Sequence, residues 1–121
     1  MKKIFLAFAA LSLLFPLGVS GQTTKNPTKA VFTVSPDHAS VTRYELGFFL
    51  PGAAAPVQVS DIGTGTPTAG ELEKPLPSFP IGVTYEAKVK AWANSVDSEW
   101  SPASNLFNRG PLAPTDLRVV K

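Results

Sequence analysis

Residues 83 to 91 read Val-Thr-Tyr-Glu-Ala-Lys-Val-Lys-Ala, with apolar and polar side chains in strict turn. Val83, Tyr85, Ala87, Val89 and Ala91 therefore share one face and Thr84, Glu86, Lys88 and Lys90 the other, the pattern of a strand with one side buried. A helix would scatter both sets around its axis. The same period recurs in "KAVFTVSP", where Ala30, Phe32 and Val34 point inward and Pro36 ends the run before a turn at Asp37 and His38. In "VTRYELGFFL" the inward set is Tyr44, Leu46, Phe48 and Leu50, with Arg43 and Glu45 toward water and Pro51 and Gly52 closing the run. "PVQVSDIG" gives a weaker strand on Val57 and Val59. A brief strand is expected near Glu71 to Leu76, inside a loop whose Pro75, Pro77 and Pro80 remove ladder donors. A last strand is expected from about Ser101 to Arg109, and "PTDLRVVK" alternates once more, with Leu117 and Val119 on one face. With 12 prolines and no sustained 3.6-residue period, long helices are excluded. The expected fold is all-β, a two-sheet antiparallel sandwich.

The chain opens "MKKIFLAFAALSLLFPLGVSGQ", a basic start, an apolar run from Ile4 to Leu14, then Pro16 and small residues. This is the pattern of a secretory signal peptide, with the cut placed before Gln22. The apolar run is too short to span a bilayer, which takes roughly 20 residues. The expected organisation is a leader over 1–21, one domain over 22–109 and a strand-like tail over 110–121. The setting is a secreted one, whether periplasm, cell surface or medium, for a protein of bacterial type without a membrane span once the leader is gone.

Without the leader 100 of the 121 residues remain, room for one compact domain. The chain has 11 Lys and Arg against 9 Asp and Glu. Lys2 and Lys3 lie in the leader, so the mature part is close to neutral and lacks the clustered positive field that a nucleic acid partner needs. There is no cysteine, which excludes disulfides, thiolate metal sites and thiol catalysis and leaves packing alone to hold the fold.

"FPIGVTYEAKVKAWA" resembles the corner motif that precedes the sixth strand of a fibronectin type III domain, a family of the immunoglobulin-like sandwich class. Phe79 stands for the family's leucine, Gly82 for its turn glycine and Tyr85 for its corner tyrosine, while Ile81 replaces the usual proline. "DSEWSPAS" is similar to the serine-rich approach to the family's last strand. Phe32 falls at the core aromatic of its second strand, and Tyr44 at the aromatic that opens the third. The resemblance covers roughly residues 29 to 109. It implies that Tyr85 buries its ring and bonds nearby backbone through its hydroxyl. The ends depart from it, because only Gln22 to Thr28 precede the second strand. The first strand is therefore expected to be missing or displaced, and its look-alike, "APTDLRVVK", stands at the C-terminus, where a following module would begin.

No catalytic constellation emerges. His38 is the sole histidine, read as a solvated turn residue. Lacking histidine or cysteine partners, it supports neither a metal site nor a nucleophilic triad. Glu71 and Glu73 share a face, the arrangement glycoside hydrolysis would need, but in an exposed, proline-rich segment they read as a solvated surface. "GTGTPTAG" lacks the lysine and following helix of a phosphate cradle. Lys88 and Lys90 beside Glu86 form a mixed-charge outer face. Trp92 and Trp100 flank one loop and are the candidate aromatic platform for a sugar or a partner protein. The loop has no Arg-Gly-Asp, so the family's integrin-type recognition does not carry over.

The expectation is a secreted, non-enzymatic module for adhesion, surface assembly or protein–protein interaction, without cofactor or metal. The alternatives are a small carbohydrate-binding module or the N-terminal piece of a longer multi-module protein. For Leu117 and Val119 a further role is expected. An eight-residue strand separates the poles by about 25 to 30 Å, and the linker 110–114 spans at most about 18 Å. The tail would then be donated to the open edge of a neighbouring molecule, giving head-to-tail self-association.

Overall fold

The computed structural model describes residues 22–121; the expected leader lies outside the described residues. Among the described residues eight strands follow one another: β1 (Thr23–Lys25), β2 (Lys29–Thr33), β3 (Arg43–Phe49), β4 (Gln58–Gly63), β5 (Glu71–Pro75), β6 (Thr84–Ala93), β7 (Val96–Asp97) and β8 (Leu106–Asn108). One 3₁₀ turn, His38–Ser40, links β2 to β3. No helix among the described residues is long and apolar enough to cross a membrane.

The strands form two sheets. The larger runs β1-β8-β6-β3-β4, with β7 folded back on β6, and the smaller is β2 paired with β5 alone. Between them lie Leu46, Phe48, Phe79, Tyr85 and Phe107, all buried. Phe48, 1% exposed, is the centre. Its ring lies 5.4 Å from Phe79, 5.9 Å from Tyr85 and 5.3 Å from Phe107. Edge-on packing to Phe79 and Phe107 sets the positive rim of one ring against the negative face of the next.

The structure corrects several expectations. The segment before Lys29 does hold a strand, but on the other sheet. β1 runs parallel to β8, Thr23 beside Leu106 and Lys25 beside Asn108. Asn26 fixes it there: its N–H donates to the Asn108 carbonyl, and its side-chain oxygen accepts from the Gly110 N–H. The sandwich is thus not wholly antiparallel, and no strand among the described residues pairs with the outer edge of β2. β2 itself has five residues, about 16 Å, well short of the expected pole-to-pole distance.

In β4 the inward side is opposite to the one expected. Leu46 pairs with Ser60 and Phe48 with Gln58, and directly opposed residues share a face. Gln58, Ser60 and Ile62 therefore turn inward, leaving Val57 and Val59 exposed. The last strand is shorter than expected, covering only Leu106–Asn108. Leu50 is exposed, and Leu117 and Val119 join no strand, being 90% and 94% exposed.

Candidate functional site

Among the described residues β2 pairs with β5 along one edge only. Thr28 accepts from Leu76 N–H, and Val34 N–H donates to Gly70, so even-numbered residues direct their backbone groups at β5. The alternation of an antiparallel ladder aims the N–H and C=O of Lys29, Val31 and Thr33 the other way. That free edge borders an open seam between the sheets.

The far bank of the seam is the segment from Ser98 to Asn105. Ser98, Ser101 and Ser104 each give their N–H to a β6 carbonyl, of Ala91, Val89 and Ala87 in turn, at 2.8 Å. Each serine Oγ accepts the N–H of that same β6 residue at 2.9 to 3.0 Å. Each hydroxyl also donates to the next carbonyl along its own chain, of Glu99, Pro102 and Asn105. Three residues here match two of β6, so two of every three stand clear of the ladder. This replaces the strand expected from Ser101, and its signal in the sequence is the three-residue serine spacing.

Three hollows that share lining residues run along the seam, of about 240, 170 and 240 Å³. Ala30, Phe32, Leu46, Ala87, Val89 and Phe107 line them. An open sheet edge beside partly buried apolar side chains is the arrangement that accepts an added strand, through main-chain hydrogen bonds and pockets for alternate side chains.

Trp92 and Trp100 do come together on the outer face of the large sheet, and both are half-buried. Lys90 Nζ lies between them, 4.5 Å from the Trp100 ring centre and 5.5 Å from that of Trp92. Arg43 covers Trp92 at 4.4 Å, and the indole N–H donates to Glu45 at 3.1 Å. Trp100 meets Phe49 edge-on at 5.3 Å, with Lys88 over Phe49. These cation–π contacts occupy faces that a sugar ring would need. Arg43 and Glu45, expected to face water, are thereby drawn into packing, and Phe49 is 0% exposed.

Asp97 receives Lys90 Nζ at 2.8 Å. That hydrogen bond, with the ammonium charge, holds the Asp97 carboxyl below the usual aspartate range. A lowered folded value means that the contact contributes above the unfolded pKa and is lost as pH falls through the folded one. Carbon-detected titration should place Asp97 below the ordinary value of about 3.9, with Lys90→Met returning it there.

Phe79, Gly82 and Tyr85 meet at one corner. Gly82 has φ 90 and donates to the Arg109 carbonyl at 2.9 Å, a left-handed backbone that disfavours any side chain. The Tyr85 ring is buried against Phe79 and Phe107, but among the described residues its hydroxyl makes no hydrogen bond. Tyr44 carries that role instead. Its Oη accepts the Ser35 N–H at 3.1 Å and meets His38 Nδ1 at 2.8 Å. His38 Nε2 donates to the Gly65 carbonyl at 2.8 Å. His38 is therefore a bridge between two loops and not a solvated turn residue. Tyr44→Phe should cost about 1 kcal/mol in urea unfolding, while Tyr85→Phe should leave the midpoint nearly unchanged.

Glu71 and Glu73 share the exposed face of β5, with Glu73 paired to Lys29 at 2.8 Å. The hollow beside them, about 620 Å³, is lined by Thr66, Thr68 and Lys74 as well. Among the described residues no cluster of His, Cys, Asp or Glu could hold a metal ion. No family model, curated protein or solved structure matches the chain.

Proposed function

We propose that the protein is an exported, non-enzymatic interaction module of the fibronectin type III kind, serving adhesion or surface assembly by taking an extended peptide strand along the free edge of β2. The observation that carries this reading is the seam itself. It joins outward-facing backbone groups of Lys29, Val31 and Thr33 to hollows lined by core side chains. The packing of Phe79 and Tyr85 beside the Gly82 turn supports the family reading, while the Tyr85 hydroxyl, without the backbone bond the family implies, is a departure from it. β1, parallel on β8 where the family places its first strand beside the second, is the departure that leaves the seam open.

The test is an amide NMR titration of residues 22–121 with extended peptides of alternating apolar pattern. Binding should shift the Lys29, Val31 and Thr33 amides first. Saturating peptide that moves none of them would overturn the reading.

A further inference from the structure

The seam and an unpaired strand-like segment occur in the same chain. After Gly110 the tail makes no strand, and Leu112, Leu117, Val119 and Val120 are 81% to 94% exposed. Asp116 has φ 60, a single left-handed residue immediately before Leu117. The stretch beyond it, residues 117 to 121, equals the five residues of β2 in length. Resting on the strand-accepting role proposed above, we infer that the occupant of the seam is residues 117–121 of a second copy of this chain, lying antiparallel to β2.

The register follows from chemistry. Leu117 opposite Phe32 and Val119 opposite Ala30 put both apolar side chains into the seam, because directly opposed residues share a face. Arg118 then exchanges both backbone hydrogen bonds with Val31, and Val120 does so with Lys29. On the outer face Arg118 sits across Val31 from Glu73, Val31's partner on β5, two strand spacings or about 9.5 Å away. The Arg118 side chain can cross that gap and join the Lys29–Glu73 pair. A slip of two residues one way sets Arg118 directly against Lys29, like charge on like. A slip the other way carries Lys121, which shares the face of Leu117 and Val119, from opposite Thr28 beyond the end of β2 to opposite Ala30 inside the apolar seam, with no counter-charge.

The molecule's own tail is poorly placed for this role. It leaves at Gly110, bonded to Asn26, near the Lys29 end of β2. Folding straight back would run it parallel to β2 and present Pro111 and Pro114, which lack donors, to the free edge. An antiparallel approach needs residues 111–116 to travel outside the whole length of β2 and then reverse. With β2 so short, distance alone does not forbid that route, so the test must separate it. Donation between copies uses two different surfaces and builds chains or rings, not closed two-fold dimers.

The experiment exploits the absence of native cysteine. Residues 22–121 carrying Val31→Cys are mixed with isotope-labelled 22–121 carrying Arg118→Cys under mild oxidation, and disulfide-linked pairs are weighed by mass spectrometry. Opposed Cα atoms at such a pair lie about 5.5 Å apart, within disulfide reach. The mixed pair should exceed both like pairs several-fold, and replacing Val31→Cys by Val59→Cys, on the opposite edge of the large sheet, should abolish the excess. Light scattering of the cysteine-free chain should show mass rising with concentration, and Leu117→Asp with Val119→Asp should remove the rise.

No excess of the mixed pair, together with a constant monomer mass, overturns the inference. So does a double-cysteine chain that closes only within itself, which would assign the seam to its own tail. If foreign peptides still shift the Val31 amide in either case, the seam accepts strands and only this occupant is wrong. If they do not, the reading beneath the inference falls as well.

Discussion

Phe48→Ala is expected to remove about 3–5 kcal/mol of stability, the largest effect of any single change in this domain. Phe48 is 1% exposed and touches the other three rings of the core cluster. Deleting it loses the transfer free energy of the ring and opens a cavity whose walls belong to both sheets. Domains typically hold about 5–15 kcal/mol in all, and this one has no disulfide to fall back on. Urea unfolding should show a sharply lower midpoint at similar slope. A loss under about 1 kcal/mol would mean that the cluster is not the centre of the fold. Phe48→Leu, which fills much of the same volume, should recover most of the difference.

Gly47→Ala should also destabilise, by about 1–3 kcal/mol, through overpacking. Gly47 lies within β3, buried, and its φ is not positive, so backbone freedom does not explain the glycine. The space above it does. A Cβ there would lie 2.9 Å from Trp100 Cη2 and 3.0 Å from Phe49 Cε1, inside contact distance. The added methyl group must push the indole out, which also parts it from Lys90 and Phe49. Tryptophan emission should shift red. In a Trp100→Ala background the loss should shrink markedly, because two of the three closest contacts go and the Phe49 ring gains room to yield. Equal destabilisation in both backgrounds would sink the explanation.

The strands legible in the sequence are those with one buried and one wet face. β6 and the inner side of β3 follow from alternation alone, since Tyr44, Leu46, Phe48 and Tyr85 are buried where the period places them. Phe49 was hidden by that logic, which assigns the second face to water. The adjacent pair Phe48-Phe49 was the available sign that both faces are covered. β4 misled because Val57 and Val59 alternate with Gln58 and Ser60 and so favour the wrong phase, whereas the phase is set by pairing with β3, a contact remote in sequence. β1 has no apolar residue in Thr23–Lys25 to announce it; ladder bonds and Asn26 hold it in place.

The candidate site was half legible. That the first strand would not cover β2 followed from the short segment before Lys29, and the tail's alternation was plain. The opposite bank was not foreseen, because its serines work through a three-residue repeat and not the two-residue period of a strand. The tryptophans do lie near one another as expected from their loop, but Lys90 sits between them and Arg43, across the ladder, covers Trp92.

The central claim is that the outer edge of β2 is unpaired and takes a strand. Amide hydrogen exchange at Val31 tests it most directly, in dilute protein of residues 22–121, with and without a saturating synthetic peptide of residues 114–121. The account predicts that Val31 exchanges quickly in the free protein, while Ala30 and Phe32, bonded to β5, exchange slowly. Peptide should then slow Val31 selectively. A Val31 amide already as slow as Phe32 without peptide, or one that remains fast at saturation, would contradict it.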